Sequence, residues 1–287
     1  MAGERPRTRI GPLRVPERYR LPPRPQEESP DVQDAYRQSQ FLLGQELSLF
    51  ERGMGLQLRL ARALARRRSG EAAALLALWG RAFAALADAC QLLVRGSYAS
   101  AVPLVRTACD MVAAQRGLLA SAFAEWREWL AEALVQETEP PALSLALGRY
   151  RASSAIAQEP RLAAIYRPAS ELSQPHFGAS ALLTGPELAL DHLPVAFAES
   201  SFHLGWAELL LGWLLSLCDL QLQTVAQSGL LPPGEEAAEE RAALGQETAA
   251  ALARPDRCRV EEVDGGFYLV NFRRSPGGQP RRLLLAG

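Results

Sequence analysis

Lysine is absent from the 287 residues, so all 31 basic side chains are arginines. A guanidinium stays charged when buried and favours paired contacts with carboxylate or phosphate. Asparagine occurs once, at Asn271, and isoleucine three times, a bias that matches a GC-rich coding sequence. Histidine is limited to His176, His192 and His203, with no H-E-x-x-H and no repeated Glu-x-x-His. That scarcity argues against a metal centre, although Glu199 and His203 stand four apart and could supply two ligands. The four cysteines (Cys90, Cys109, Cys218, Cys258) form no C-x-x-C pair, and three lie in apolar helical patterns. They read as small core thiols in a reducing compartment. The chain shows no Gly-rich phosphate loop, no G-x-S-x-G elbow and no dinucleotide fingerprint in a supporting strand–turn–helix context. Nothing in the pattern calls for a cofactor. The longest greasy run, Leu204 to Cys218, is interrupted by Glu208 and falls short of the ~20 residues that a membrane span needs. With a formal net charge of −1 and no apolar leader, the expectation is a cytoplasmic protein without a membrane segment.

What is present is mostly helical. Residues 1–28 form an arm with six prolines and seven arginines, expected to be extended and poorly ordered unless it docks. Over residues 1–26 only Glu4 and Glu17 oppose those arginines, so the arm could attract a phosphate backbone. Ser29-Pro30-Asp31 then combines an N-cap, a first-turn proline and an acid at the positive end of the helix dipole. The first helix should run to about Arg68, with a break near Gly53-Met54-Gly55. Its closing arginines (Arg59, Arg62, Arg66, Arg67, Arg68) suit a helix C-terminus. Further helices are predicted at Glu71–Arg95, at Tyr98–Leu119 with a kink at Pro103, and at Phe123–Glu137 capped by Ser121. Others follow at about 142–157, 160–173, Val195–Ser228 and 235–253, the last with glutamates on a solvated face. Ser173–Pro194 reads as the longest irregular stretch of the body.

Arg257–Val263 alternates, Asp264-Gly265-Gly266 is a turn signal, and Phe267–Phe272 has strong strand character. With Arg281–Ala286 they predict a small three-stranded meander. The expected architecture is all-α: an arm (1–28), a helical bundle (29–230), an appended helix (231–254) and the β-meander tail (255–287).

The stretch Gly96–Asp110 holds the chemistry of greatest interest. From Ala99 to Ala114 the only polar residues are Ser100, Arg106, Thr107 and Asp110. A helix apolar on nearly every side belongs in the middle of a bundle, and charges there need a partner or a purpose. Arg106 and Asp110, one turn apart, can form a buried ion pair that sets packing. Alternatively, Arg106 is an anion clamp oriented by Asp110. His176, beside Pro175 and Gly178 at a helix end, reads either as an acid or base or as an ordinary loop histidine.

Gly96, Tyr98, Ala101, Leu104 or Val105, Arg106 and Asp110, followed by Tyr166, Ser170-Glu171 and Pro175-His176, resemble a family of uncharacterised bacterial helical proteins related to the HEPN superfamily. The matching blocks cover about thirty residues. The resemblance implies a HEPN-like up-and-down core and a homodimer around an apolar helical face. The superfamily's nuclease motif, an arginine a few residues before a histidine on one helix, has no counterpart in this chain. What is implied is therefore a non-catalytic sensing or interaction module, with RNA or another anionic ligand as partner. Its enzymatic alternative is a metal-independent ribonuclease. There Arg106 would hold the phosphate, His176 would move the 2′-hydroxyl proton and Asp110 would orient Arg106. Tyr98, Ser170, Tyr166 and Glu171 would complete the binding set. A third alternative is a nucleic-acid-binding regulator that uses the arginine arm.

Overall fold

The computed structural model describes residues 10–135, 142–145, 154–185, 196–197, 200–231, 235–273 and 282–286. Its elements, in chain order, are α1 (Pro30–Ala65), α2 (Gly70–Val94), α3 (Tyr98–Ala120), α4 (Ala124–Glu132), β1 (Leu134–Val135), β2 (Ala142–Leu143), α5 (Ser154–Gln158), α6 (Pro160–Ser173), α7 (Phe177–Thr184), α8 (Leu204–Ala226), α9 (Glu235–Leu252), β3 (Arg259–Val263), β4 (Gly266–Val270) and β5 (Arg282–Ala286). The protein is a mostly helical bundle with a small antiparallel sheet at its C-terminal end.

Local chemistry sets the starts of the first helices. Ser29 accepts from the Val32 N–H at 3.4 Å, with Pro30 in the first turn. Ser69 accepts from the Ala72 N–H at 3.1 Å to open α2. The expected break at Gly53–Gly55 does not occur, and α1 runs through it for 36 residues. Gly53 has a packing reason instead: a Cβ there would stand 2.7 Å from Cys218 Sγ, so its bare backbone admits α8. Pro103 lies inside α3 without ending it. The fourth helix ends at Glu132, short of Glu137, and Ser121 does not cap it but closes α3, after which Ala122 and Phe123 pass through left-handed backbone at φ 48° and 62°.

Three expectations need correction. Residues 142–157 are not one helix: Ala142–Leu143 pair antiparallel with Leu134–Val135, and α5 begins only at Ser154. The loop Ser173–Pro194 contains α7, nucleated by the cap at His176. The long helix predicted from Val195 begins at Leu204, where His203 caps it through Nδ1 to the Trp206 N–H at 3.2 Å.

The centre of the bundle is also not α3. Twenty residues of α8 are buried, against ten of α3. Helix α8 packs against α1, α2, α3 and α9, whereas α3 lies between α2 on one side and α5 and α6 on the other. Gln221 and Asp219 of α8 find polar partners inside the bundle. Gln221 and Gln115 exchange amide hydrogen bonds, with Gln115 donating to Gln221 at 3.0 Å. Asp219 takes Arg161 at 2.7 Å. The glutamates of α9 do more than face water: Arg52 of α1 clasps both Glu247 oxygens at 2.7 Å, and Arg59 pairs with Glu240.

The tail folds as predicted, in the order β3-β4-β5 with Val260 opposite Leu269 and a turn at Asp264-Gly265. It docks on the N-terminal end of α8. Phe272 meets the Trp206 ring edge to face at 5.1 Å, and a Cβ on Gly205 would lie 2.2 Å from the Phe272 carbonyl oxygen. The arm lies against the body from Ile10 onward. Tyr19 sits edge-on to Phe50 and Phe83, at 6.0 and 5.9 Å, and the Leu21 N–H donates to Glu51 at 3.1 Å.

Two helices, α2 and α8, are long and apolar enough to cross a membrane by length and composition, and the apolar window of α8 is 89% buried inside the protein.

Candidate functional site

The α3–α6 seam joins the two sequence blocks that carry the resemblance. The Arg106 guanidinium lies over the Tyr166 ring, its central carbon 5.7 Å from the centroid. At that distance the guanidinium charge is held against the ring as a cation–π contact. One turn beyond Tyr166 on α6, Ser170 carries a buried hydroxyl with no hydrogen-bond partner. One turn beyond Arg106 on α3, Asp110 is half-buried. Burial raises its carboxyl above the ordinary range, and the nearby Arg106 charge offsets only part of that rise. Arg106 is likewise half-buried, so the charges sit at a seam rather than in the sealed interior that the apolar sequence predicts.

The other candidates stand apart from this pairing. His176 is exposed, and its Nδ1 accepts the Ala179 N–H at 3.2 Å as the cap of α7. Glu171 is exposed on α6. Tyr98 opens α3 two turns before Arg106, about 12 Å away along the axis at 1.5 Å per residue. It is buried, its hydroxyl accepts the His203 N–H at 3.1 Å, and burial pushes the phenol well above its usual range. Among the described residues no group of three or more His, Cys, Asp or Glu could hold a metal ion. Glu199 and His192 lie outside the described residues, and His203 serves as the α8 cap.

Two features escaped sequence reasoning. The first is a buried ionic cluster. Arg257, 2% exposed, pairs with Glu46 of α1 and donates to the Glu208 carbonyl. Arg254 reaches Glu46 at 3.1 Å, and the Glu208 carboxylate accepts the Cys258 N–H at 3.0 Å. Glu208 inside an apolar run was the available signal, since a buried carboxylate demands a partner. The second is a cavity of about 260 Å³ where the N-terminal ends of α3 and α8 converge, lined by Ser97, Tyr98, Ser200, His203 and Trp206 among others. Two other hollows carry less chemistry. One of about 830 Å³ between α1 and α9 is flanked by charges already paired, and one of about 460 Å³ is apolar and covered by arm residues Leu13–Pro16.

No protein-family model matches this chain, and neither the curated proteins nor the solved structures contain a significant match.

Proposed function

We propose that this chain is a HEPN-like helical interaction module, non-catalytic, that takes an anionic ligand at the α3–α6 seam through Arg106. The observation that carries this reading is the stacking of Arg106 on Tyr166 while the His176 ring is engaged as a helix cap. A guanidinium is always charged, and its planar fork suits phosphate or carboxylate oxygens. Ser170, buried and unpartnered on the same face of α6 as Tyr166, adds a hydroxyl beside it. A proton shuttle at His176 would have to surrender the bond that starts α7. The homodimer and the up-and-down HEPN-like core implied by the resemblance belong to the same reading.

The test is binding of a fluorescent single-stranded RNA oligonucleotide, followed by anisotropy, with cleavage of the same RNA monitored on a gel. Arg106→Ala should weaken binding by about tenfold or more, the effect of losing one charge-assisted hydrogen bond. His176→Ala should leave affinity unchanged, and the RNA should stay intact. Cleavage abolished by both substitutions would replace this reading with the ribonuclease. Binding abolished only by deletion of residues 1–28 would transfer it to the arm.

A further inference from the structure

The cavity where α3 and α8 begin is rich in donors that have nothing to donate to. Ser97 occupies the N-cap of α3, but its side chain accepts no helix N–H. The first-turn N–H groups of Tyr98, Ala99 and Ser100 therefore have no side-chain cap; Ala99 and Ser100 are exposed, and all three stand at the positive end of a 23-residue helix. Trp206, fully buried, lines the same cavity, and its indole N–H has no partner. Tyr98, 5% exposed, uses its hydroxyl oxygen to accept from His203, and no acceptor receives its hydrogen. The Ser97 and Ser200 hydroxyls are 2.8 Å apart, so one donates to the other and the second hydrogen is left over. None of the described lining residues is acidic.

Unpaired buried donors are costly, and a protein keeps them where something else completes them. We infer that this cavity is a binding site for a small oxyanion, a phosphate or carboxylate group on a compact organic body. Oxyanions carry acceptors only, which matches a wall of donors, and a helix N-terminus favours negative charge. The cavity, about 260 Å³, has room for a phosphate or carboxylate group with a compact body. Gly96 makes the enclosure possible. It adopts φ +73°, and a Cβ there would meet the Ser201 carbonyl oxygen at 2.5 Å, so only glycine lets residues 200–203 close over the start of α3. This site is separate from the α3–α6 seam and does not depend on it.

Inorganic phosphate and sodium acetate, each titrated against the full-length protein at constant ionic strength set by sodium chloride, provide the test. In a ¹H–¹⁵N spectrum the Trp206 indole resonance, assigned by its disappearance in Trp206→Phe, should shift saturably with one of the two anions. The responding anion distinguishes a phosphate from a carboxylate ligand. Trp206→Phe should weaken that binding by about tenfold, read from the remaining shifts of Tyr98 and Ala99 amides. If neither anion moves these resonances, the inference is overturned. It is equally overturned if Arg106→Ala abolishes the phosphate response while Trp206→Phe preserves it, because the anion then sits at the α3–α6 seam.

Discussion

Replacing Arg257 by alanine would remove a cation sealed between α1, α8 and the tail. The side chain is 2% exposed; its partners are Glu46, 7% exposed at the side chain, and the carbonyl of Glu208. Its loss would leave two buried carboxylates, Glu46 and Glu208, sharing Arg254, which reaches them at 3.1 and 3.8 Å and is 42% exposed. Breaking a buried pair from one side costs about 3–5 kcal/mol, because the remaining charge is desolvated without compensation. Arg254 would offset some of this, placing the loss near the lower end. At ~2–4 °C per kcal/mol for a chain of roughly this size, the melting temperature should fall by about 10 °C.

The double variant Glu46→Leu with Arg257→Met separates pairing from packing. Replacing both charges by apolar groups of similar volume is often neutral or stabilising. At least half of the single-mutant loss should therefore return, while Arg254 is exposed enough to be solvated. Urea unfolding followed by far-UV circular dichroism measures both values, with the slope checked for constancy. A loss below about 1 kcal/mol for Arg257→Ala would refute the argument, since no buried charge would then have been stranded. Equal losses for single and double variants would show that the effect lies in the Arg257 bond to the Glu208 carbonyl, which both variants lack.

Gly53→Ala should destabilise, because the new methyl would press on Cys218 Sγ at 2.7 Å, whereas Gly55→Ala meets nothing within 4 Å and should stabilise α1 by about 0.5–1 kcal/mol through helix propensity. Thermal melts of the two variants side by side check this, and equal shifts would count against the close approach of α8. Asp110 has a carboxyl raised by burial, so the folded state binds its proton more tightly than the unfolded chain. Its charge therefore lowers stability as pH rises above the unfolded value of about 3.9. Asp110→Asn should gain on the wild type from pH 4 towards neutrality and match it below, measured by urea unfolding across that range. A wild type that instead gains on the variant with rising pH would show that attraction to Arg106 outweighs burial.

Features written in a few adjacent residues were legible in the sequence. Ser29-Pro30-Asp31, the boundary at Gly96 and the Asp264-Gly265 turn each state their conformation through local hydrogen bonding and allowed φ. Which helix occupies the centre was not legible, because α3 and α8 are both apolar enough for it. The choice depends on what surrounds each, and the Gly53, Gly205 and Gly212 contacts let neighbours close on α8. In the sequence His203 and His176 read as chemical groups, yet both cap helices, a role that any acceptor at the right backbone position can fill. The α3–α6 contact was not legible, since nothing local connects Arg106 to a tyrosine sixty residues away. Glu46 and Arg257, 211 positions apart, carry no shared pattern at all.

Two buried tryptophans show how this fold treats an indole donor and provide a last comparison. Trp79, 2% exposed, gives its N–H to Gln57 at 2.8 Å, and the Gln57 amide in turn reaches Cys218 Sγ at 3.1 Å. Trp206, equally enclosed, gives its N–H to nothing. Trp79→Phe and Trp206→Phe remove similar volume, so their packing losses are comparable. Only the first also breaks a hydrogen bond and leaves the buried Gln57 oxygen unpaired, which costs about 1–3 kcal/mol. Unfolding of the anion-free protein should therefore show Trp79→Phe less stable than Trp206→Phe by about that amount. Addition of the anion that fits the cavity should stabilise the wild type and leave Trp206→Phe nearly unmoved, because binding to the folded state alone adds stability in proportion to affinity. Equal stabilities of the two variants without anion would mean that the Trp206 indole already has a partner in solution, and the donor-lined cavity would lose its principal support.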